Sequence, residues 1–110
     1  MHEWQKANAR NWFEVRMDFC IARFKHTNQV RPKALIIRQL KQRWGSMSPN
    51  GRLVLNRSLI QAAVPEIDYV ITHELCHRIH HNHGPKFFEL LESMMPDWEL
   101  RKQSLEHRLA

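Results

Sequence analysis

Long hydrophobic runs are missing from the sequence, and cysteine is scarce. No apolar stretch approaches 18 residues, so we predict no membrane span. Residues 1–6 lack the apolar core of a signal peptide. The two cysteines, Cys20 and Cys76, are too few for a disulfide framework. These features together predict a reducing, cytoplasmic setting.

Internal repeats and low-complexity tracts are also lacking, and the composition is that of a globular protein. Of the 110 residues, 43% are hydrophobic, which predicts a single domain over residues 1–110 with a modest core. Residues 1–57 carry 12 Lys/Arg and three Asp/Glu, whereas residues 58–110 carry five Lys/Arg and eight Asp/Glu. A basic half can face nucleic acid. No nucleic-acid-binding motif accompanies it, however, which favours a solvated basic surface.

An H-E-x-x-H motif, formed by His73, Glu74 and His77, is the most informative pattern in the chain. On a helix the two histidines lie one turn apart on the same face, so both imidazoles can bind one zinc ion. Glu74 lies about 100° from His73 and about 60° from His77 around the axis. Its carboxylate therefore reaches the edge of the site and is a candidate base, not a ligand. Ile71 and Leu75 lie on the opposite, apolar face.

A catalytic zinc site needs a third protein ligand, and we predict His83. This residue lies six positions after His77, too far around a continuing helix to point back at the metal. Its neighbours in the segment 82–85 are residues that typically end a helix. A helix that ends near His81 could turn and bring His83 back to the ion.

Two nearby side chains are weaker candidates for the third ligand. His80 shares the helix face of His73 but lies about 10 Å further along the axis. Cys76 lies beside the histidines and could be a ligand, although a thiol packed between helices is the favoured interpretation.

Periodicity and turn residues predict an α+β domain. The elements predicted for the first half are a helix over 2–26, a strand over 34–40 that residues 42–47 extend past a bend, a turn at 48–51, and a strand over 52–56 that returns as a hairpin. The elements predicted for the second half are a short helix at 58–62, the H-E-x-x-H helix from Pro65, a helix from Pro85, and a helix from Trp98 to about His107. On the first helix, Trp12, Val15 and Phe19 form the expected apolar side.

Several stretches together resemble the YgjP-like family of predicted metal-dependent hydrolases, which are relatives of the SprT-like and WLM metalloproteases. They are R-W-G-S at 43–46, L-N at 55–56, the segment 67–77 with H-E-L-C-H, N-H-G-P-K-F-F at 82–88, and M-P-D-W at 95–98. The resemblance implies a zincin-like metalloprotease fold, zinc bound by His73, His77 and His83, and Glu74 as the catalytic base. Met47 stands where the family usually has Cys. The strand-rich N-terminal part common in the family is expected to be absent from this chain.

These patterns predict a monomeric zinc metallopeptidase in which Glu74 activates a water at the metal to hydrolyse a peptide bond. Arg43, Trp44, Tyr69 and Arg57 are candidate contacts for the substrate or the transition state. Residues 43–47 form either an exposed sheet edge that pairs with a peptide beside the metal or an ordinary half-buried strand. Two alternatives stay open: a nucleic-acid-associated module with a structural zinc, and a zinc domain without turnover.

Overall fold

The computed structural model describes residues 8–109. Its elements are α1 (Ala9–Ile21), α2 (Thr27–Val30), β1 (Ala34–Arg38), β2 (Gly45–Met47), β3 (Arg52–Asn56), a 3-10 turn (Arg57–Gln61), α3 (Val64–Cys76), α4 (Pro85–Met94) and α5 (Trp98–Leu109). The predicted α+β class is confirmed, since an N-terminal helix precedes a three-stranded mixed sheet and the longer helices follow it. None of the described helices is long and apolar enough to cross a membrane.

Helix α3 is the central element, because it contacts α1, β2, α4 and α5. Its predicted apolar face is confirmed: Ile67, Ile71 and Leu75 are fully buried. At its first turn the Glu66 carboxylate accepts a hydrogen bond from the Ala63 N–H at 3.0 Å, which satisfies one of the unpaired donors of the helix start.

The end predicted for this helix, near His81, is wrong. Helix α3 ends at Cys76. The N–H groups of residues 77–79 donate to carbonyl groups three residues back, which tightens the last turn and lets the chain leave the helix axis. The early end leaves residues 77–84 as a loop between α3 and α4.

The first helix is shorter than predicted, and a different side of it is buried. Helix α1 ends at Ile21, and the part of the predicted helix before residue 8 lies outside the described residues. Residues 27–30 form the short helix α2, where a connector was predicted. Phe13 and Ile21 are buried, whereas Val15 and Phe19 are 54% and 48% exposed. The burial of Phe24 after the turn explains the early end, since the chain must bend to bring this ring into the core.

An ion pair explains why the inward side of α1 was misassigned. Arg16 occupies a position on that side and binds Asp68 of α3 with two hydrogen bonds of 2.9 and 2.7 Å. The Arg16 side chain is 16% exposed and that of Asp68 is 8% exposed. A charged residue within the inward stripe weakens the periodic signal that sequence analysis uses.

The sheet has the order β1-β3-β2, with β1 parallel and β2 antiparallel to β3. The predicted hairpin between β2 and β3 is confirmed, and Gly51 in its turn has a φ of +91°, which favours glycine. The prediction that residues 42–47 extend the first strand is wrong. Strand β1 ends at Arg38 and β2 lies on the other side of β3, because residues 39–44 leave the sheet and bind Asn56.

The helices predicted after Pro85 and from Trp98 are confirmed by α4 and α5. Phe87 and Leu91 of α4 and Leu105 of α5 are buried in the same core as α3. Phe88, next to Phe87 on α4, is 37% exposed.

Candidate metal centre

Three histidine side chains converge at the C-terminal end of α3. The Nε2 atom of His83 lies 3.2 Å from Nε2 of His73 and 3.0 Å from Nε2 of His77, and the ligand atoms of all three lie within 4.8 Å of one another. Two nitrogens bound to one tetrahedral zinc at about 2.0–2.1 Å are about 3.3 Å apart. The donor set therefore fits a metal ion, and the three residues are those predicted from the sequence.

The loop after α3 brings His83 to the other two rings. The early helix end turns the chain at residues 77–79, and His83 follows in the loop just before α4. The Nδ1 atom of His77 lies 3.1 Å from the carbonyl oxygen of His80. A neutral His77 that donates this hydrogen bond presents an unprotonated Nε2 to a metal. His80 thus contributes its backbone, and its ring does not belong to the converging group.

Phe87 forms an aromatic support under all three imidazoles. Its ring centroid lies 5.0 Å from that of His73, 4.5 Å from that of His77 and 4.9 Å from that of His83. The His77 and Phe87 rings are stacked at an interplanar angle of 28°. This contact was not predicted from the sequence. The position of Phe87 four residues after His83, at the start of a helix, was the available signal.

Burial favours the neutral form of the His73 and His77 imidazoles. The pKa of His73 is lowered to about 4, chiefly by burial and further by the neighbouring His77 and His83. Burial likewise lowers the pKa of His77. Both shifts disfavour the protonated rings, which cannot bind a cation, and so favour the ligand form at neutral pH.

Glu74 is a buried carboxyl beside the triad. The residue is 8% exposed, and its Oε2 lies 4.0 Å from Nε2 of His73. Burial raises the pKa of Glu74 to about 7, and the positive charge of Arg43 opposes this rise. A carboxyl with a pKa near 7 can both accept and release a proton at neutral pH. Glu74 lies at the edge of the triad, which is the position predicted from the helix geometry.

A cavity of about 200 Å³ opens beside His73 and Glu74. Of the four predicted contacts, Arg43, Trp44 and Tyr69 line it, whereas Arg57 is exposed and does not line it in the described part of the chain. The other lining residues are Gly45, Val70, Lys102, Leu105 and Glu106. The last three were not predicted, because nothing in the sequence of α5 indicates that it packs beside the H-E-x-x-H helix.

Two further lining residues bear on the chemistry of the cavity. Burial raises the pKa of Tyr69 to about 12, with smaller effects from Glu106 and Glu74, so the phenol stays protonated and can donate a hydrogen bond. A Cβ atom added at Gly45 would lie 3.1 Å from Cγ1 of Val70 and 3.4 Å from Cγ of Glu74. The absence of a side chain at this position lets the backbone of β2 approach α3 closely.

Cys76 lies at the end of α3 but does not join the histidines. It is fully buried and free, and burial raises the pKa of its thiol to about 12. A protonated, buried thiol packs as a small apolar side chain. This is the interpretation that the sequence favoured.

Comparisons with known proteins bear on the fold and the family of this chain. The crystal structure of the metallopeptidase zymogen of Pyrococcus abyssi abylysin has a similar fold, with a TM-score of 0.72 and 18% sequence identity over 88% of this chain and 94% of that chain. At this identity the similarity concerns the fold alone. No curated protein sequence matches significantly. The sequence profile of the YgjP-like metallopeptidase domain matches residues 1–108. The chain therefore belongs to the YgjP-like metallopeptidase domain family.

Proposed function

We propose that this protein hydrolyses peptide bonds with a zinc ion bound by His73, His77 and His83, and with Glu74 as the general base. One observation carries the proposal: three imidazole nitrogens converge next to a buried carboxyl that opens onto a cavity. Membership of a metallopeptidase family supports the same activity.

Zinc is the proposed metal because three neutral imidazoles and one open position are a common catalytic zinc site. When bound, zinc would supply Lewis acidity that lowers the pKa of a coordinated water and polarises the substrate carbonyl. The chain's own contribution begins with the ring orientation, which Phe87 and the carbonyl of His80 support.

Glu74 would move the protons of the reaction. Its raised pKa matches a group that removes a proton from water and later gives it to the leaving amine. Tyr69 would donate a hydrogen bond to the developing oxyanion, since its hydroxyl stays protonated and the residue lines the same cavity.

The edge of β2 would hold the substrate main chain. The carbonyl of Trp44 accepts from the Asn56 N–H and the Ser48 N–H donates to the Arg52 carbonyl, both towards β3. Antiparallel pairing alternates, so the backbone groups of the strand residues between them, at positions 45 and 47, face the open edge of the described sheet. An extended peptide could add there as a further strand next to Glu74.

The variant Glu74→Gln tests this proposal. Zinc content, measured by elemental analysis, should stay near one ion per chain, because Glu74 is not a proposed ligand. Cleavage of an unfolded protein substrate should fall by about 100-fold or more. Glu89→Gln, which removes an exposed carboxylate of α4, is the matched control and should keep full activity. A zinc-loaded wild type that cleaves no peptide or protein, or a Glu74→Gln variant as active as the wild type, would contradict the proposal.

A further inference from the structure

We propose that the site selects peptides with an acidic side chain, and that Arg43 binds the carboxylate. This inference rests on the proposed function, since it names the class of peptide that the cavity would accept. It concerns the choice of substrate and gives Arg43 no part in bond cleavage.

The segment that forms the sheet carries charge of one sign. Residues 19–65 contain nine Lys/Arg and no Asp or Glu. This segment includes β1, β2, β3 and the loops that join them. A peptide that lies along β2 would therefore meet a positive field from the whole sheet, and an acidic peptide would be attracted to it.

Within this field, Arg43 has a distinct position. It lines the cavity beside Glu74, and together with Trp44 it also lines a second, polar cavity of about 460 Å³. The first of these cavities is lined by Glu74 and by His73 of the metal centre, so Arg43 and the triad border one space. An anion bound by Arg43 would therefore lie next to the reacting peptide bond.

Arg43 also makes no ion pair with any described carboxylate, unlike Arg16 with Asp68 or Arg101 with Asp97. The other cationic side chain of the cavity wall, Lys102, is already paired, because its Nζ lies 3.0 Å from a carboxylate oxygen of Glu106. Of the lysines and arginines that line the cavity in the described chain, Arg43 is thus the one with charge available for a ligand. Its planar guanidinium also suits a carboxylate, which it can bind with two hydrogen bonds.

A buried residue fixes the backbone from which Arg43 projects. Asn56 is 4% exposed. Its Nδ2 donates to the carbonyl oxygens of Leu40 at 3.0 Å and Arg43 at 2.9 Å, and its backbone N–H donates to the carbonyl of Trp44 at 2.9 Å. Asn56 is therefore a positioning residue for this loop. A side chain that starts from a fixed backbone loses less conformational freedom on binding a ligand.

Peptide binding to the zinc-loaded Glu74→Gln protein tests this inference without turnover. Fluorescein-labelled decapeptides of neutral sequence would carry one Glu at successive positions, each matched with a Gln peptide, and affinity would be read by anisotropy. At one position or two adjacent positions the Glu peptide should bind about tenfold more tightly than its Gln partner. The additional substitution Arg43→Gln should reduce this ratio to near one, and Arg43→Lys should keep part of it.

The matched control is Arg38→Gln in the same background. Arg38 is an exposed residue of the same basic segment, at the end of β1, the strand farthest from the β2 edge. The Glu/Gln ratio should survive this change, because it removes one charge without touching the cavity. Equal losses in the Arg38 and Arg43 variants would overturn the assignment to Arg43.

Further outcomes separate the remaining explanations. Equal binding of Glu and Gln peptides at every position would overturn the inference, whatever the enzyme cleaves. A short oligonucleotide could also displace the labelled acidic peptide at a lower concentration than the unlabelled peptide does. That result would identify nucleic acid as the occupant and would also overturn the inference. If the preference is present but the wild type cleaves none of these peptides, selection of acidic peptides stands and the proposed hydrolysis fails.

Discussion

Glu74→Gln should stabilise the metal-free fold at alkaline pH, because the native structure holds the Glu74 carboxyl in a place that favours its protonated form. Burial raises its pKa from an ordinary 4.5 to about 7. As pH rises between these two values, the unfolded chain loses the proton while the folded chain keeps it. Stability contributed by the protonated carboxyl is therefore present in full below about pH 4.5 and lost by about pH 7.

The difference between these two pKa values sets the size of the effect. At about 1.4 kcal/mol for each factor of ten, it corresponds to about 3 kcal/mol in the free energy of unfolding. Glu74 is 8% exposed, so solvent screening reduces this figure little. His73 acts in the opposite direction, because its lowered pKa destabilises the fold as pH falls from about 6.5 through about 4. This contribution is common to both proteins and cancels in their difference.

Urea unfolding of chelator-treated wild-type and Glu74→Gln proteins, at several values between about pH 4.5 and pH 8.5, measures the effect. Relative to the wild type, the free energy of unfolding of the Gln variant should rise by up to about 3 kcal/mol from the acidic to the alkaline end of this range. Glu89→Gln, whose carboxylate is in solvent in both states, should show no such trend. A Glu74→Gln difference that stays flat across the range would refute the reasoning that burial sets this pKa.

Two other predictions concern contacts outside the motif. Phe87→Leu should weaken zinc binding by about tenfold or more in competition with a chromophoric chelator, because the ring supports all three imidazoles. Phe24→Leu, at a buried ring of the α1–α2 turn, should destabilise the fold without this loss of affinity. Asp68→Asn should lower the free energy of unfolding by about 3 kcal/mol in urea, since it leaves the half-buried Arg16 charge without its partner. A loss no larger than that of an exposed pair would show that the ion pair contributes little.

The parts of the site that lie on one helix could be predicted from the sequence. The positions of His73, Glu74 and His77 depend only on helix geometry, and the apolar spacing of Ile71 and Leu75 fixes which face turns inward. His83 was a harder case, because it required the helix to end. The terminating residues of segment 82–85 indicated that end, although they placed it some residues too late.

Features that depend on contacts between distant parts of the chain could not be predicted in the same way. The strand β2 pairs on the far side of β3, which follows from the hydrogen bonds of Asn56 to the loop before it. A single asparagine in a strand pattern gives no sign of such bonds. The cavity wall from α5 and the inward position of Arg16 are likewise set by tertiary packing, which overrides local periodicity.

The relation between β2 and α3 decides whether the metal centre can meet a substrate. The three histidines and Glu74 all belong to α3 or the loop after it, so they would stay together even if the sheet moved away. The proposed substrate edge belongs to the sheet, and β2 approaches Glu74 closely because Gly45 has no side chain to keep Val70 at a distance. A Cβ there would lie 3.1 Å from Val70 and 3.2 Å from the carbonyl oxygen of Val54, closer than an unstrained contact allows. The glycine of the R-W-G-S segment therefore joins two separately built halves of the site, and it does so without contributing a functional group.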